Sequence, residues 1–474
     1  MSAKDTRQAL LNIPVRCIFE LTLLMQQLRK VHKELMDQLC PPKSVDPMTV
    51  LPRELAESVL EYLTFRQRMN ACLVSKQWNQ FIRSIPSLWS HLDLTGARRK
   101  VRTTFVSRVI NTARTKLRAA TLNNLYDFDK TLSALLKHCP LEELTLLDCG
   151  LQGENLTSIL TSARALRNVK ITEGTRINSN ELQSLMSALS SRLESLDCCA
   201  IGYRQPAASY HVPCPVLKSL SLTFDGSYND RALFHNLSEH FPGLETLIFR
   251  HTGSMIHDAA TIDLKDCAQL RRLELHVKLG NAEHLRLPAG LKTLKLYLQF
   301  SFNPPVLNIP DLDELSIGPV GTFRSVTRVL DTYAAIDPPE AGEGGDTSQR
   351  SGLRSFTLVR SSCDDRIDVD TLLSHPRLKK LQHLGLHSCL GVDDAAIAAI
   401  SSTKLDSLRS VDLTSATLTG VGVKDLVSSL KLESLILDEC RNVSPDAVEW
   451  ARWKGVVVKH RISNDMAGGK KVRY

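Results

Sequence analysis

The sequence predicts an α/β solenoid, in which a curved parallel β-sheet carries helices on its outer side. A small all-α module and an N-terminal amphipathic helix precede it. An apolar pattern that returns at a near-constant spacing predicts the solenoid. Two segments with helical apolar periodicity come before the first copy of that pattern. The 474 residues are 43% hydrophobic and 23% charged, an average globular composition that can fill a large core.

The first predicted element is an amphipathic helix over 15–39, within an N-terminal region and linker that extend to residue 47. Its apolar residues recur at alternating steps of three and four, which places them on one face. Cys40-Pro41-Pro42 ends the helix, because proline cannot continue it. The stripe fits either a short coiled coil that makes a homodimer or a helix packed on its own chain. It consists of Ile18, Leu21, Met25, Leu28, His32, Leu35 and Leu39.

A compact helical module follows over 48–90. Pro52 fits the first turn of a helix, where its missing N–H needs no partner, and Leu55, Val59 and Leu63 lie on one face of that helix. A short second helix is expected near 67–71 and a third over 72–82. So small a module buries little surface by itself, and we expect it to dock on another surface.

Leucine-rich repeats account for residues 91–462, and the first copy of their pattern begins just before, at Trp89. The pattern Leu-x-x-Leu-x-Leu, with other apolar residues substituting, mostly recurs every 21–28 residues, a period typical of such repeats. Alternate strand residues point to opposite faces, so the leucines fill a continuous core and the residues between them line the concave side. Copies begin at Trp89, Leu117, Leu141, Leu166, Leu193, Leu217, Leu244, Leu270, Leu291, Leu312, Leu353, Leu381, Leu408 and Leu432.

The spacing breaks once, between Leu312 and Leu353. This interval contains a predicted helix over 323–333 and a loop over 337–352 that is rich in proline, glycine and acidic residues. We expect the loop to be mobile, either as a lid over the concave face or as an inert insertion. After the last repeat, residues 463–474 form a predicted flexible basic tail.

The sequence predicts a protein that is not an enzyme and holds no cofactor. It has no H-E-x-x-H, P-loop or G-x-S-x-G signature, and Gly420-Val421-Gly422 is a lone G-x-G at the start of a repeat helix. Scattered cysteines without a C-x-x-C pair predict no metal site and indicate reduced thiols in the cytoplasm or nucleus. No apolar run approaches the ~20 residues of a membrane-spanning helix, so we expect no membrane association.

The net charge of +8 is concentrated between residues 98 and 118, a segment with eight basic and no acidic residues. The rest of the chain is therefore balanced, which disfavours a nucleic-acid-binding protein. This basic segment is either a docking site for an acidic partner or the solvated outer helix of the first repeat. In the second case Phe105, Val106, Val109 and Ile110 face inward.

The helical module has a specific sequence: LPRELAESVLEYL at 51–63, CLVSKQWNQFI at 72–82 and LW at 88–89. It resembles the F-box, through which substrate receptors join Skp/cullin/F-box ubiquitin ligases. The segment FRQRM at 65–69 departs from the family, because many members carry an acidic residue and leucines there. An alternative is that the apolar residues only cap the first repeat. The resemblance implies that a Skp-type adaptor is contacted by Leu51, Pro52, Leu55, Val59, Leu63, Val74 and Trp78.

In F-box proteins with leucine-rich repeats, the repeats bind the protein to be ubiquitinated. The resemblance therefore implies a substrate-recognition subunit of a cullin-based E3 ubiquitin ligase, with an adaptor, a cullin scaffold and a protein substrate as partners. Such a subunit makes no bonds itself and acts by raising the effective concentration of the substrate. The alternative is a leucine-rich-repeat interaction scaffold that is not coupled to ubiquitination. A third hypothesis, an activator of a small GTPase, is disfavoured by the F-box.

The central repeats predict where a substrate binds. Adjacent strands lie ~4.8 Å apart, so side chains between the strand leucines of successive repeats become neighbours. We expect a basic, partly aromatic patch there, suited to an acidic or phosphorylated partner. The alternative is that these are ordinary solvated positions. The patch consists of Arg250, Arg272, His276, Lys295 and Tyr297.

Overall fold

The computed structural model divides the chain into two compact units, Met1–Leu88 and Trp89–Tyr474. The structure describes residues 24–31, 46, 50–97, 100–125, 127–147, 149, 159–160, 162–172, 177–202, 212–225, 236–251, 262–277, 285–298, 310–319, 326–327, 329–330, 352–360, 366–403 and 405–462.

Residues 50–88 of the first unit contain three short helices. They are α1 (Arg53–Glu61), α2 (Phe65–Ala71) and α3 (Lys76–Ser84), followed by a 3₁₀ turn at Pro86–Trp89. The sequence predicts Pro52 in the first turn of α1. In the structure Pro52 is the N-cap, one position before that turn. The third helix begins at Lys76 and not at residue 72, because the Ser75 side chain accepts a hydrogen bond from the Trp78 backbone N–H and caps the helix there.

The N-terminal helix is described only over 24–31, where the backbone is helical and every residue is exposed. Leu24, Met25, Leu28 and Val31 are each about half exposed on this segment. The remainder of the predicted helix over 15–39 lies outside the described residues. Its homodimer therefore stays a prediction.

The second unit is built on one long parallel sheet whose strands follow chain order. The path runs β1-β2-β3-β4-β6-β7-β8-β10-β12 and then β13 to β18, while β5 pairs with β6 and β9 with β11. The strands are β1 (His91–Asp93), β2 (Ala119–Asn123), β3 (Glu143–Leu147), β4 (Asn168–Ile171), β5 (Ile177–Asn178), β6 (Ser195–Gly202), β7 (Ser219–Asp225), β8 (Thr246–His251), β9 (Ile262–Asp263), β10 (Arg272–Val277), β11 (Leu285–Arg286), β12 (Thr293–Leu298), β13 (Glu314–Gly318), β14 (Ser355–Val359), β15 (His383–His387), β16 (Ser410–Asp412), β17 (Ser434–Ile436) and β18 (Val457–Lys459).

Helices return the chain between many of the strands. They are α4 (Thr103–Ala113), α5 (Phe128–His138), α6 (Ser179–Leu189), α7 (Leu237–His240), α8 (Arg366–Leu373), α9 (Asp394–Ser402), α10 (Gly420–Ser429) and α11 (Pro445–Trp453). Between β8 and β12 the described residues include the two-residue strands β9 and β11. The repeat that contains β11, from Leu270 to Leu291, is only 21 residues long and leaves little room for a full helix. This α/β solenoid architecture confirms the predicted fold class.

The core of the second unit is the stack of pattern leucines. In β10 and β12, for example, Leu273 and Leu275 pair in register with Leu294 and Leu296, and all four are fully buried. Phe224 and Phe249 add a ring contact in the central repeats, with centroids 5.2 Å apart. A single repeat cannot bury such a face, so stacking of neighbours supplies the core.

Several predicted elements fall on residues that are only partly described. The predicted helix over 323–333 is helical at 326–327 and 329–330, where Val326, Val329 and Leu330 are buried. The predicted loop at 337–352, except Gly352, and the predicted tail at 463–474 lie outside the described residues. No helix in the described part of the chain is both long and apolar enough to span a bilayer.

Candidate partner-binding surfaces

Helix α1 of the first unit has two apolar faces. Ala56 and Leu60 face inward and are buried, whereas Leu55 is 55% exposed and Val59 is 52% exposed. Tyr62, directly after the helix, is 91% exposed. Residues at i, i+4 and i+7 share one side of a helix, so Leu55, Val59 and Tyr62 form a continuous apolar strip. This apolar side of α1 is therefore not buried by any of the described residues.

The connection between α2 and α3 presents further apolar side chains. Leu73 is 81% exposed and Val74 is 65% exposed, and Val50, just before α1, is 63% exposed. Val50, Tyr62 and Leu73 are not among the residues predicted from the sequence. Only their exposure in the fold identifies them as candidates.

The predicted adaptor-contact residues differ in exposure. Pro52, Leu55, Val59 and Val74 are exposed, whereas Leu51, Leu63 and Trp78 are half-buried. The Trp78 indole Nε1 donates a hydrogen bond to Asp46 Oδ1 at 2.9 Å, so this side chain is fixed within its own unit. No adaptor is present, and contact by any of these residues stays a prediction.

The divergent segment at 65–69 forms a well-capped helix. Thr64 and Gln67 make a reciprocal capping box at the start of α2. Phe65 is buried, and Arg68 donates a hydrogen bond to the Leu88 backbone carbonyl. The basic and polar composition here therefore serves the internal structure of the unit.

On the concave side of the second unit, the central predicted patch is less basic than the sequence predicts. Arg250 Nε donates to Glu274 Oε1 at 2.7 Å, and His276 Nε2 lies 3.5 Å from the same oxygen. Lys295 Nζ lies 2.9 Å from Glu314 Oε1 on the neighbouring strand. The charges of Arg250 and Lys295 are thus compensated within the sheet.

Glu274 is the acidic centre of this patch and is only 5% exposed. Burial works to raise its pKa, but the contacts with His276 and Arg250 outweigh burial and bring the pKa down to about 2. The same pairing raises the pKa of Arg250. The His276 ring packs against Tyr297 with centroids 4.2 Å apart. Of the five predicted patch residues, Arg272 is exposed and forms no ion pair among the described residues.

A second histidine–acid group lies on β15 and β16. His387 Nε2 is 2.9 Å from Asp412 Oδ2, and the Thr414 hydroxyl donates to Asp412 Oδ1 at 2.6 Å. Burial raises the pKa of Asp412, but these contacts lower it overall. Burial lowers the pKa of the neighbouring His383. In the described part of the chain, no three histidine, cysteine or acidic side chains form a group that could hold a metal ion.

The lone G-x-G at the start of α10 has a structural explanation. Asp394 Oδ1 accepts hydrogen bonds from the backbone N–H groups of Thr419 and Gly422, at 2.8 and 3.1 Å, and Oδ2 accepts from the Thr419 hydroxyl at 2.7 Å. A Cβ atom at Gly422 would lie 2.5 Å from Asp394 Oδ1. The carboxylate of the preceding repeat therefore occupies the position where a phosphate would bind a helix N-terminus.

Residues 103–113 of the basic segment form the first outer helix, α4, and Arg108 is the one basic residue within that helix. Val106, Val109 and Ile110 of α4 are buried, Phe105 is half-buried, and Arg102 and Arg108 are exposed. The inward-facing side chains fit the solvated-helix interpretation, but most of the basic residues lie outside this helix. Both interpretations of the segment therefore stay predictions.

Comparison with known proteins identifies the helical part of the chain. Residues 48–95 match the F-box-like family. The chain therefore carries an F-box-like domain followed by leucine-rich repeats. No curated protein sequence matches the chain.

Three solved structures are similar to parts or all of the chain. They are the yeast Rad7–Elc1 complex (15% identity, 97% of each chain covered, TM-score 0.41), the TLR13–ssRNA13 complex (14% identity, 75% of this chain and 55% of that chain, TM-score 0.33) and the leucine-rich-repeat ectodomain of the Arabidopsis thaliana receptor kinase GASSHO1/SCHENGEN3 in complex with CASPARIAN STRIP INTEGRITY FACTOR 2 (14% identity, 77% of this chain and 46% of that chain, TM-score 0.33). These scores are low, so the repeat architecture rests on the strands and helices of the chain itself.

Proposed function

We propose that the chain is the substrate-recognition subunit of a cullin-based E3 ubiquitin ligase. The observation that carries this proposal is the exposed apolar strip Leu55–Val59–Tyr62 on an F-box-like domain. Large apolar side chains that stay on the surface of a folded unit are typical of a protein interface. A Skp-type adaptor fits this strip, and the adaptor in turn connects the chain to a cullin scaffold.

In this role the chain acts by proximity and not by chemistry. The repeat array holds a target protein while the F-box-like domain holds the ligase, so a lysine of the target meets ubiquitin at a high effective concentration. The parallel sheet offers a long row of side chains for this purpose. We place this activity in the cytoplasm or nucleus, in keeping with the cysteines described in the structure, none of which forms a disulfide with another described cysteine.

Affinity purification of the tagged full chain tests the proposal. The test variant is Leu55→Asp/Val59→Asp, which puts two charges into the strip without removing any buried side chain. The matched control is Leu390→Asp/Val421→Asp, because these residues are 72% and 61% exposed in the repeat array. A carboxylate in an apolar interface is costly, so the test variant loses the adaptor and the cullin, and the control keeps both.

The outcome of this experiment separates the two functions that the sequence leaves open. Co-purification of adaptor and cullin with the unchanged chain, lost in the test variant alone, supports the ligase subunit. Binding of other proteins without adaptor or cullin, by a chain shown to be folded, contradicts it and indicates a non-catalytic interaction scaffold.

We also propose that the N-terminal helix makes a homodimer. Leu24, Met25, Leu28 and Val31 are unburied on the described segment, and the heptad spacing of the predicted stripe fits a coiled coil. Light scattering of the full chain and of Met25→Asp/Leu28→Asp measures the mass directly. A dimer that becomes a monomer in the variant supports the proposal, and an unchanged mass contradicts it.

A further inference from the structure

The residue directly before each of thirteen strands forms a continuous row along the edge of the long sheet. We call this set the rim row. Its members precede β2–β4, β6–β8, β10 and β12–β17, and each is the residue that follows the first leucine of its repeat. They are Arg118, Glu142, Arg167, Glu194, Lys218, Glu245, Arg271, Lys292, Asp313, Arg354, Gln382, Arg409 and Glu433.

Backbone hydrogen bonds fix the neighbours in the rim row. The N–H of each member donates to the carbonyl of the member before it, as in Glu142 to Arg118 at 2.7 Å, Arg271 to Glu245 at 2.8 Å and Lys292 to Arg271 at 2.8 Å. Consecutive members therefore lie one strand separation apart, about 4.8 Å. At that spacing the charge of one side chain acts directly on the next.

The charges of the rim row alternate in sign from Arg118 to Arg271. Arg118 Nη1 lies 3.2 Å from Glu142 Oε1, Arg167 pairs with Glu194, and Lys218 Nζ lies 3.8 Å from Glu194 Oε2. The hydrogen bond from Arg167 lowers the pKa of Glu194. Alternation is what stability favours, since like charges placed opposite each other on adjacent strands repel.

The alternation fails between Arg271 and Lys292, and the neutral Gln382 interrupts it again between Arg354 and Arg409. Arg271 and Lys292 are the only consecutive members with the same charge. Arg272, the next residue along the chain, is a third cation there. All three are exposed, and none forms an ion pair with another described residue. We call Arg271, Arg272 and Lys292 the basic triad.

A glycine holds one member of the basic triad in place. Arg271 Nη1 donates a hydrogen bond to the Gly290 backbone carbonyl at 2.7 Å. A Cβ atom at position 290 would overlap that same nitrogen, so any larger residue would displace the guanidinium. The Arg271 cation is thus pre-positioned at the edge of the sheet with no carboxylate partner among the described residues, which lowers the cost of binding an external anion.

We propose that the basic triad binds a short acidic segment of the protein that the repeat array recognises. This inference rests on the proposed function, in which the array binds a target. Arg271 and Lys292 directly precede two adjacent strands, and the distance between them matches that between carboxylates along an extended chain. Glu245 and Asp313 flank Arg271 and Lys292 in the row and repel a longer acidic run. The triad shares Arg272 with the predicted patch and is a better docking point for an anion than the rest of that patch, because Arg250 and Lys295 are already paired.

Fluorescence anisotropy with the full chain and a labelled tetraglutamate peptide tests the proposal. The test variant Arg271→Gln/Lys292→Gln removes two charges from the triad. The matched control Arg118→Gln/Lys218→Gln removes two charges from paired positions of the same row. We expect the test variant to bind about fivefold more weakly and the control to bind within about twofold of the unchanged chain. Gly290→Ala keeps the net charge and is expected to give an intermediate loss, because it moves the Arg271 guanidinium.

Three results overturn the proposal: no binding of the peptide to the unchanged chain, equal losses in test and control variants, or tighter binding of an oligouridine probe than of the peptide. A phosphoserine peptide is measured beside tetraglutamate, and a clear preference for it overturns the assignment to carboxylates. Co-purification of the adaptor with the same variants is the separate readout. If Arg271→Gln/Lys292→Gln keeps the adaptor and binds the peptide as tightly as the unchanged chain does, the triad is rejected and the proposed ligase function is unaffected.

Discussion

The F-box-like unit and the repeat array treat their surfaces in opposite ways. Between residues 50 and 88, Leu55, Val59, Tyr62 and Leu73 are all more than half exposed. On the concave face of the array, by contrast, Glu274, Glu314 and Asp412 each lie beside a cation or histidine of the same sheet. The apolar side chains of the first surface are exposed, whereas these acidic side chains of the second are paired within the fold. Changes in the first should therefore affect binding, and changes at the paired positions of the second should affect stability.

The largest contrast is expected between Phe249→Ala and Tyr62→Ala. Phe249 is fully buried and packs on Phe224, so its truncation should lower the free energy of unfolding by about 3–5 kcal/mol. Tyr62 is 91% exposed, and its truncation should change stability by about 0.5 kcal/mol or less. Denaturant unfolding measures both. A comparable loss of stability in both variants would show that the strip on α1 is internal structure and not an interface.

Glu274 gives the next largest effect, and it depends on pH. Its pKa is about 2 in the folded chain against a reference of 4.5, so its contribution is complete above pH 4.5 and is lost as the pH falls toward 2. The contribution at neutral pH is about 3 kcal/mol. Glu274→Gln should remove it and flatten the acid limb of the stability curve. Glu433→Gln, on a side chain that is 77% exposed, is the control and should leave the curve unchanged.

Gly422→Ala should have a smaller effect, about 1–3 kcal/mol, because the new Cβ crowds Asp394 Oδ1. Val421→Ala changes the adjacent, exposed position and serves as the control. Combining Gly422→Ala with Asp394→Ala should cost less than the sum of the two single changes, since both act on one contact. Strict additivity in denaturant unfolding would contradict the contact between α9 and α10.

The smallest expected effect concerns the reactivity of buried cysteine thiols and does not involve the stability of the fold. Burial raises the pKa of Cys139, Cys214 and Cys440 to about 11, so these thiols should react about a hundredfold more slowly with iodoacetamide near neutral pH than a thiol of pKa 9. Mass spectrometry before and after denaturation measures the difference. Rapid labelling of the native chain would show that the repeats open readily and that these thiols are more accessible than the static fold indicates.

The periodic part of the fold could be read from the sequence because its signal is local. Leucines at fixed offsets, such as Leu273 and Leu275, are buried as predicted. Cys440, which follows its strand at a fixed offset, is also buried, and its Sγ contacts the Leu413 carbonyl of the preceding repeat at 3.0 Å. Apolar periodicity does not show where a helix is capped. The sequence therefore predicts the start of α3 four residues too early, whereas the helix begins at Lys76.

Which charged side chains form ion pairs could not be predicted from the sequence in the same way. The sequence predicts Arg250 and Lys295 as free cations because nothing local distinguishes them from Arg272. Their partners, Glu274 and Glu314, come from the next repeat, and the strand register brings each pair together. The rim row has the same origin, since its members are separated by about one repeat in the chain and become neighbours only in the sheet.

The sequence by itself determined the two parts of this protein, a helical F-box-like module and a leucine-rich solenoid. It could do so because backbone periodicity and burial depend on residues a few positions apart. The tertiary structure decided which apolar residues of the module stay exposed, and which charges of the array remain without a partner. Both depend on how successive segments stack, and stacking sets the distances at which apolar contact and Coulomb attraction act.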